Sequence, residues 1–172
     1  MKQWYEIDGY FSNEDSQAYA SICYNMPNKA RFLEIGAYKG RSTVLMDSLA
    51  KNMGKDVTID IVDCFGGDEH MGEHDTYAEF LNNTQGCNIG TVYIGYSNEQ
   101  YKRLEGKYDA IFIDACHNTP EVLEDIANYT PFLADGGIIA GHDIHFFGVR
   151  PAVEQVFSSS YTIIGNCWIV KT

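Results

Sequence analysis

Arg31-Phe-Leu-Glu-Ile-Gly-Ala-Tyr-Lys-Gly-Arg-Ser-Thr43 carries more information than any other stretch of this chain. An apolar run closes on an acid, Glu34, glycines follow at Gly36 and Gly40, and a helical pattern begins at Arg41. A strand, a tight turn and a helix N-terminus in that order form a cradle for a nucleotide-like cofactor. The amides at the helix start point at the ligand, and glycine lets it lie against the main chain. Glu34, Gly36, Tyr38, Gly40 and Ser42 are the expected contacts of this loop. The Ser42 hydroxyl and the loop amides suit a carboxylate on the ligand. The spacing is E-x-G-x-x-x-G, not the G-x-G-x-x-G of dinucleotide sites. That difference, with a chain too short for a separate substrate domain, disfavours an NAD-dependent dehydrogenase.

Upstream, a helix is expected from Ser12 to about Tyr24, with Asp15 completing a partial capping box, and Pro27 breaks the chain before the first strand. Downstream, a helix is expected over Arg41–Met53 with Gly54 at its C′ position. Further strands are expected at Val57–Val62, Ile89–Ile94, Tyr108–Ile113 and Gly137–Ala140. Ser97 with Gln100, and Thr119 with Pro120, mark helix starts between them. Tyr161–Gly165 and Cys167–Lys171 alternate like a hairpin that turns at Gly165-Asn166. Strands alternating with helices predict an α/β fold with a mostly parallel sheet and helices on both faces. In such sheets the ligand crevice lies beyond the carboxyl ends of the strands, at the point where strand order reverses. A single domain spans 1–172, with 1–30 as an N-terminal helical cap.

The polar residues at predicted strand ends are therefore the candidates for chemistry. Asp63 closes the second strand, where an acid suits the hydroxyls of a ribose; Asp60 competes for the role from mid-strand. Ser97 follows the third strand, as a helix cap, a cofactor contact, or both. Asp114 ends Tyr108–Ile113, and His117 lies about one helical turn further on. His142 and Asp143 follow the next strand in Ala140-Gly-His-Asp-Ile144. Two carboxylates and an imidazole suit a divalent cation, so Asp114, His142 and Asp143 are the expected metal ligands. Asp114 and His117 are the expected catalytic pair, Asp114 also bordering the cofactor. His70 and His74 sit in a glycine-containing polar loop expected to act as a mobile lid, with a metal cluster as the alternative. Trp4, Tyr5, Tyr10 and Phe11 have three open fates: wall of the acceptor pocket, core packing, or the contact of a homodimer.

Composition narrows the partners. The chain has 24 Asp and Glu against 12 Lys and Arg, a net charge of −12, with no basic cluster. A polyanion would be repelled, so nucleic acid is not the expected substrate; a small molecule is. No apolar run reaches membrane-spanning length, so no membrane partner is expected. Five scattered cysteines without a C-x-x-C pair read as reduced thiols in a cytoplasmic protein.

The stretch Glu34-Ile-Gly-Ala-Tyr-Lys-Gly-Arg-Ser42 resembles the first motif of S-adenosylmethionine (SAM)-dependent O-methyltransferases of the catechol O-methyltransferase type. Ile111-Phe-Ile-Asp114 and Ile139-Ala-Gly-His-Asp143 resemble their two acidic motifs, the second of which is usually an Asp-Asn pair. The longer run Phe112 to Val153 is more similar to a bacterial and phage methyltransferase group. That group is related to macrocin-type sugar O-methyltransferases and to proteins called cephalosporin hydroxylases. The resemblance implies a Rossmann-like seven-stranded sheet with one antiparallel strand inserted near the C-terminus. It implies SAM as cofactor, the Ser97 region at the adenine edge, and Mg²⁺ at the acidic motifs lowering the pKa of substrate hydroxyls. His117 falls near the position where the catechol-type enzymes carry a lysine base. His142 stands where they carry a carboxylate, which opens the site to Mn²⁺, Fe²⁺ or Zn²⁺ beside Mg²⁺. The expected activity is O-methylation of a small hydroxylated metabolite or sugar. Two rivals are a non-haem iron oxygenase using His117, His142 and an aspartate, and a non-catalytic SAM or nucleoside binder.

Overall fold

The structure, a computed structural model, describes residues 2–66 and 75–172. Strands β1 (Lys29–Ile35), β2 (Asp56–Asp63), β3 (Ile89–Ile94), β4 (Tyr108–Ile113) and β5 (Leu133–Gly141) are joined by parallel pairing. Two more, β6 (Thr162–Ile164) and β7 (Cys167–Lys171), complete one sheet in the order β3-β2-β1-β4-β5-β7-β6. The inserted strand β7 runs antiparallel to both β5 and β6. Strand order reverses between β1 and β4, so the crevice expected of such sheets opens where Gly36 and Asp114 leave the sheet.

Both faces of the central strands are covered, which is why Phe32-Leu33 in β1 and Ala110–Ile113 in β4 are apolar without alternation. Alternate residues enter separate cores: Phe32, Ala110 and Phe112 face one, and Leu33, Ile35, Ile111 and Ile113 the other. The first core is closed by α1 (Asp15–Asn25), α2 (Arg41–Asn52) and α3 (Tyr77–Asn83) through Tyr19, Ile22, Met46 and Phe80. The second is closed by α5 (Thr119–Tyr129) and α6 (Val149–Phe157) through Val122, Ile126, Val149 and Val153. The short α4 (Ser97–Gln100) lies against α5 and β2. Helix α1 thus belongs to the main core through Ala18, Tyr19, Ile22 and Cys23.

The start of α1 is a reciprocal capping box: the Ser12 amide donates to Asp15 Oδ2 at 2.8 Å and the Asp15 amide to Ser12 Oγ at 3.2 Å. Gly54 follows α2 with φ +67°, its amide on the Lys51 carbonyl, as a C′ glycine should. The other two helix starts sit one residue earlier than their capping signals. Asn118 and Tyr96 occupy the N-cap positions, so Thr119 and Ser97 are already helical. Thr119 instead donates its hydroxyl to the Gly148 carbonyl at 2.9 Å. The hairpin turns at Gly165-Asn166 as expected, and β5 begins four residues before Gly137. Among the described residues no helix is long and apolar enough to cross a membrane.

Candidate active site

The parallel strands bring the candidate residues to one edge of the sheet, and the glycine loop is the first of them. Gly36 has φ +87°, and a Cβ placed there would lie 1.8 Å from the Asp114 carbonyl oxygen. The glycine is required by this contact between the β1 and β4 ends. Gly40 caps α2 in the left-handed region at φ +85°. Between them Tyr38 also has a positive φ, 49°, an unfavourable conformation for an aromatic residue. Asp63 holds it there. Its Oδ2 accepts the Ala37 and Tyr38 amides at 2.6 and 2.7 Å, and its Oδ1 accepts the Phe65 amide at 2.6 Å. Asp63 is therefore bound to the cofactor loop itself; Asp60 is used elsewhere, on Arg31, Tyr108 and the Thr91 amide.

Glu34 points into the core beneath the loop and is fully buried. The Tyr19 hydroxyl donates to its Oε1 at 2.8 Å, the Thr43 hydroxyl to its Oε2, and Ser42 adds a third side-chain hydrogen bond. The Ser42 hydroxyl thus faces Glu34, and the Gly36, Ala37, Tyr38 and Gly40 amides are bonded within the protein, so the expected use of this hydroxyl and these amides on a ligand carboxylate is not what the structure shows. Burial pushes the Glu34 carboxyl up to about 7, with the three hydroxyls pulling it back.

The chemical centre lies at the ends of β4 and β5. His117 Nε2 is 2.8 Å from Asp143 Oδ2. His142 Nδ1 faces the same oxygen at 3.3 Å and Asp114 Oδ1 at 3.7 Å. A cavity of about 10 Å³ lies against Asp114, His117 and His142, with apolar walls that include Val122, Val149 and Trp168, the lower limit of space for one water. Asp143 has φ +57°, a conformation aspartate tolerates, which turns its carboxylate back between the two imidazoles. Burial pushes Asp114 up to about 6, with His142 opposing and Asp143 adding to the rise. Against burial, Asp114, Asp143 and Asp15 raise His142 to about 10. Burial would raise Asp143 too, but His117 and His142 hold its carboxyl well below the usual carboxylate range.

The donor set suits a divalent cation. Asp114, His117 and Asp143 offer ligand atoms that all lie within 4.8 Å of one another. The expected third ligand, His142, turns Nδ1 toward both carboxylates. Hard carboxylate oxygens with imidazole nitrogen fit Mg²⁺, Mn²⁺ or Fe²⁺. Aromatic rings close the flanks: Phe146 lies 4.9 Å from the His117 ring and Phe11 5.2 Å from that of His142. Tyr10 is exposed and sits 6.3 Å from Tyr38 on the loop.

Ser97 lies at the end of β3, apart from this centre. Tyr129 donates to its carbonyl at 2.9 Å, and its side chain bonds to the buried Asp125. His70 and His74 lie outside the described residues. Asp15 was missed as part of the site. Its Oδ2 is 3.2 Å from His142 Nε2, and its role as a helix cap already accounted for it in the sequence. Asn166 was read only as a turn residue, yet its side chain donates to Asp143 Oδ1 at 2.7 Å.

A mostly parallel sheet with an antiparallel strand near its end, a glycine loop at the reversal point and acids on the adjoining strand ends define a Rossmann-like, nucleotide-cofactor enzyme. Residues 33–144 match the model of a family described as a methyltransferase domain. The chain belongs to this methyltransferase family, whose members of this fold use SAM. No curated protein matches the sequence significantly. Among solved structures, the chain is similar to the O-methyltransferase NovP (13% identity, TM-score 0.69, covering 92% of this chain and 79% of that one). It is similar to the apo TDP-rhamnose 3'-O-methyltransferase CalS11 of calicheamicin biosynthesis (12% identity, TM-score 0.67, 94% and 81%). It is also similar to cofactor-bound Rv0187 from MTB (16% identity, TM-score 0.69, 93% and 80%). At these identities the likeness is one of fold.

Proposed function

We propose that this methyltransferase moves the methyl group of SAM to a hydroxyl oxygen of a small polyhydroxylated metabolite or sugar, with a divalent cation assisting. The observation that carries this is the convergence of Asp114, His117, His142 and Asp143 directly beside the glycine loop. SAM supplies an electrophilic methyl on a sulfonium: the O–CH₃ bond forms as the S–CH₃ bond breaks, and the sulfonium becomes a neutral thioether. Glu34, Gly36, Tyr38, Gly40, Ser42, Asp63 and Ser97 form the cofactor side, Glu34 and Ser42 by bracing the loop from beneath and Asp63 by fixing its amides. Asp114, His142 and Asp143 hold the cation, which when bound supplies Lewis-acid stabilisation of the developing alkoxide. His117, oriented by Asp143, takes the hydroxyl proton. Holding oxygen, methyl and sulfur in line is the larger part of the task. His117 also fits as a ligand in place of His142, because its Nε2 is the imidazole nitrogen nearer to Asp143.

The likeness in fold to the TDP-rhamnose 3'-O-methyltransferase CalS11 and the flanking aromatic rings support a sugar-like small molecule as acceptor, and the acidic charge disfavours a polyanion. The test is titration of chelator-stripped protein with SAM, followed by methyl transfer to a panel of nucleotide sugars and polyols with and without Mg²⁺ or Mn²⁺. Asp114→Ala is expected to abolish transfer while SAM still binds within about threefold. Full turnover by that variant removes Asp114 from the mechanism, and absence of SAM binding by the parent chain ends the proposal.

A further inference from the structure

Three segments far apart in sequence meet behind the Asp114–Asp143 edge: the start of α1, the end of β5 and the hairpin turn. Asp15, in the first turn of α1, is only 2% exposed, although capping a helix does not require burial. Its Oδ1 accepts the Asn166 amide at 2.7 Å, while its Oδ2 accepts Ser12 and lies 3.2 Å from His142 Nε2. That nitrogen is buried without a well-aligned hydrogen bond, so its partner is the Asp15 charge. Asn166 extends the line by donating from its side chain to Asp143 Oδ1. Strand β7 makes this geometry unavoidable. Because it runs antiparallel, with Trp168 opposite Gly141, its first residues lie at the edge where the parallel strands end.

A carboxylate on one ring nitrogen of a histidine fixes the tautomer and the ring plane, leaving the other nitrogen's lone pair for a cation. We infer that Asp15 and Asn166 are positioning residues for the divalent-cation site: Asp15 holds a proton on His142 Nε2 and fixes the ring so that Nδ1 faces Asp114 and Asp143 and is the nitrogen that gives up its proton when a cation binds, and Asn166 aims the Asp143 carboxylate. This rests on the cation site proposed above. It also gives the helix start a second role, since Ser12 and Asp15 would cap α1 equally well at the surface. Burial, then Asp15 and Asp114, push the thiol of the neighbouring Cys167 far up.

The test uses full-length, chelator-stripped protein and Mn²⁺ as the probe, with free Mn²⁺ read by electron paramagnetic resonance. Asp15→Asn removes the charge and keeps only one of the two oxygens that accept the Ser12 and Asn166 amides; Asn166→Ala keeps the backbone amide and removes the side chain. Each is expected to bind Mn²⁺ about 10- to 100-fold more weakly. Ser12→Ala, which removes only the cap hydroxyl, is expected to lose helix stability and to keep its Mn²⁺ affinity within about twofold. Wild-type Mn²⁺ affinity in folded Asp15→Asn and in Asn166→Ala overturns the inference. So does an equal loss in Ser12→Ala, which would assign the effect to the helix. If Asp15→Asn fails to fold, Asn166→Ala decides alone. Failure of the parent chain to bind Mn²⁺ overturns the cation site and this inference together, while SAM titration of the same sample reads the methyltransferase assignment separately.

Discussion

Gly36 and Asp114 touch through their backbones: the Gly36 amide hydrogen-bonds to the Val62 carbonyl while its Cα sits against the Asp114 carbonyl. The cofactor loop and the catalytic strand end are therefore one rigid unit, and no side chain fits between them.

Gly36→Ala places a methyl 1.8 Å from a backbone oxygen at φ +87°, where neither partner can rotate away. A loss on the order of 3 kcal/mol or more is expected. Urea unfolding at neutral pH checks it; a midpoint close to the parent's would mean that the two strand ends separate easily.

Glu34 makes stability depend on pH. Burial raises its folded pKa to about 7, above the ordinary glutamate value of 4.5, so the native state binds the proton more tightly. Stability then falls as pH rises from 4.5 to 7, by on the order of 3 kcal/mol at about 1.4 per unit. Glu34→Gln should remove this slope and gain on the parent as pH rises through that window. Unfolding curves of both proteins at pH 5, 6, 7 and 8 give the comparison, and parallel curves would contradict it.

Asp63→Asn leaves one amide oxygen where two carboxylate oxygens now accept three backbone amides. Each stranded amide costs about 1–3 kcal/mol, and the left-handed Tyr38 loses its brace. A lower melting temperature without cofactor is expected, together with weaker SAM binding. Weaker binding alone, at unchanged melting temperature, would assign Asp63 to the ribose and not to the loop.

His117→Gln is expected to lower kcat about 10²- to 10⁴-fold, the usual worth of a positioned base, with SAM affinity within about threefold. If Mn²⁺ affinity falls instead, His117 is the ligand.

Legibility followed from whether a feature is local. Strand β4 matches its expected limits because apolar residues on both faces leave no ambiguity, the half-exposed edge strand β3 matches its own as well, and Gly54 marks its helix end because a left-handed residue closes it. Helices α3 and α6 are absent from the expected elements although each carries a start signal, Thr76 with Glu79 three residues on and Pro151 in the first turn of α6. Strand ends pointed to Asp63, Asp114, His142 and Asp143, since a parallel sheet sends every such residue to one edge. The same rule was silent on what each side chain does there. Glu34 alternates into the α1–α2 layer and Ser42 turns after it, which a motif read along one dimension does not convey. Asp15 was hidden for a related reason: its capping box with Ser12 is local, while its contacts with Asn166 and His142 are set by β7.

Asn166 binds Asp15 across 151 residues of chain. The contact ties the first helix to the β6–β7 hairpin. A chain nicked before the hairpin would keep the contacts that shape the glycine loop, Gly36 against Asp114 and Asp63 on the Ala37 and Tyr38 amides, and would lose the side chain that aims Asp143.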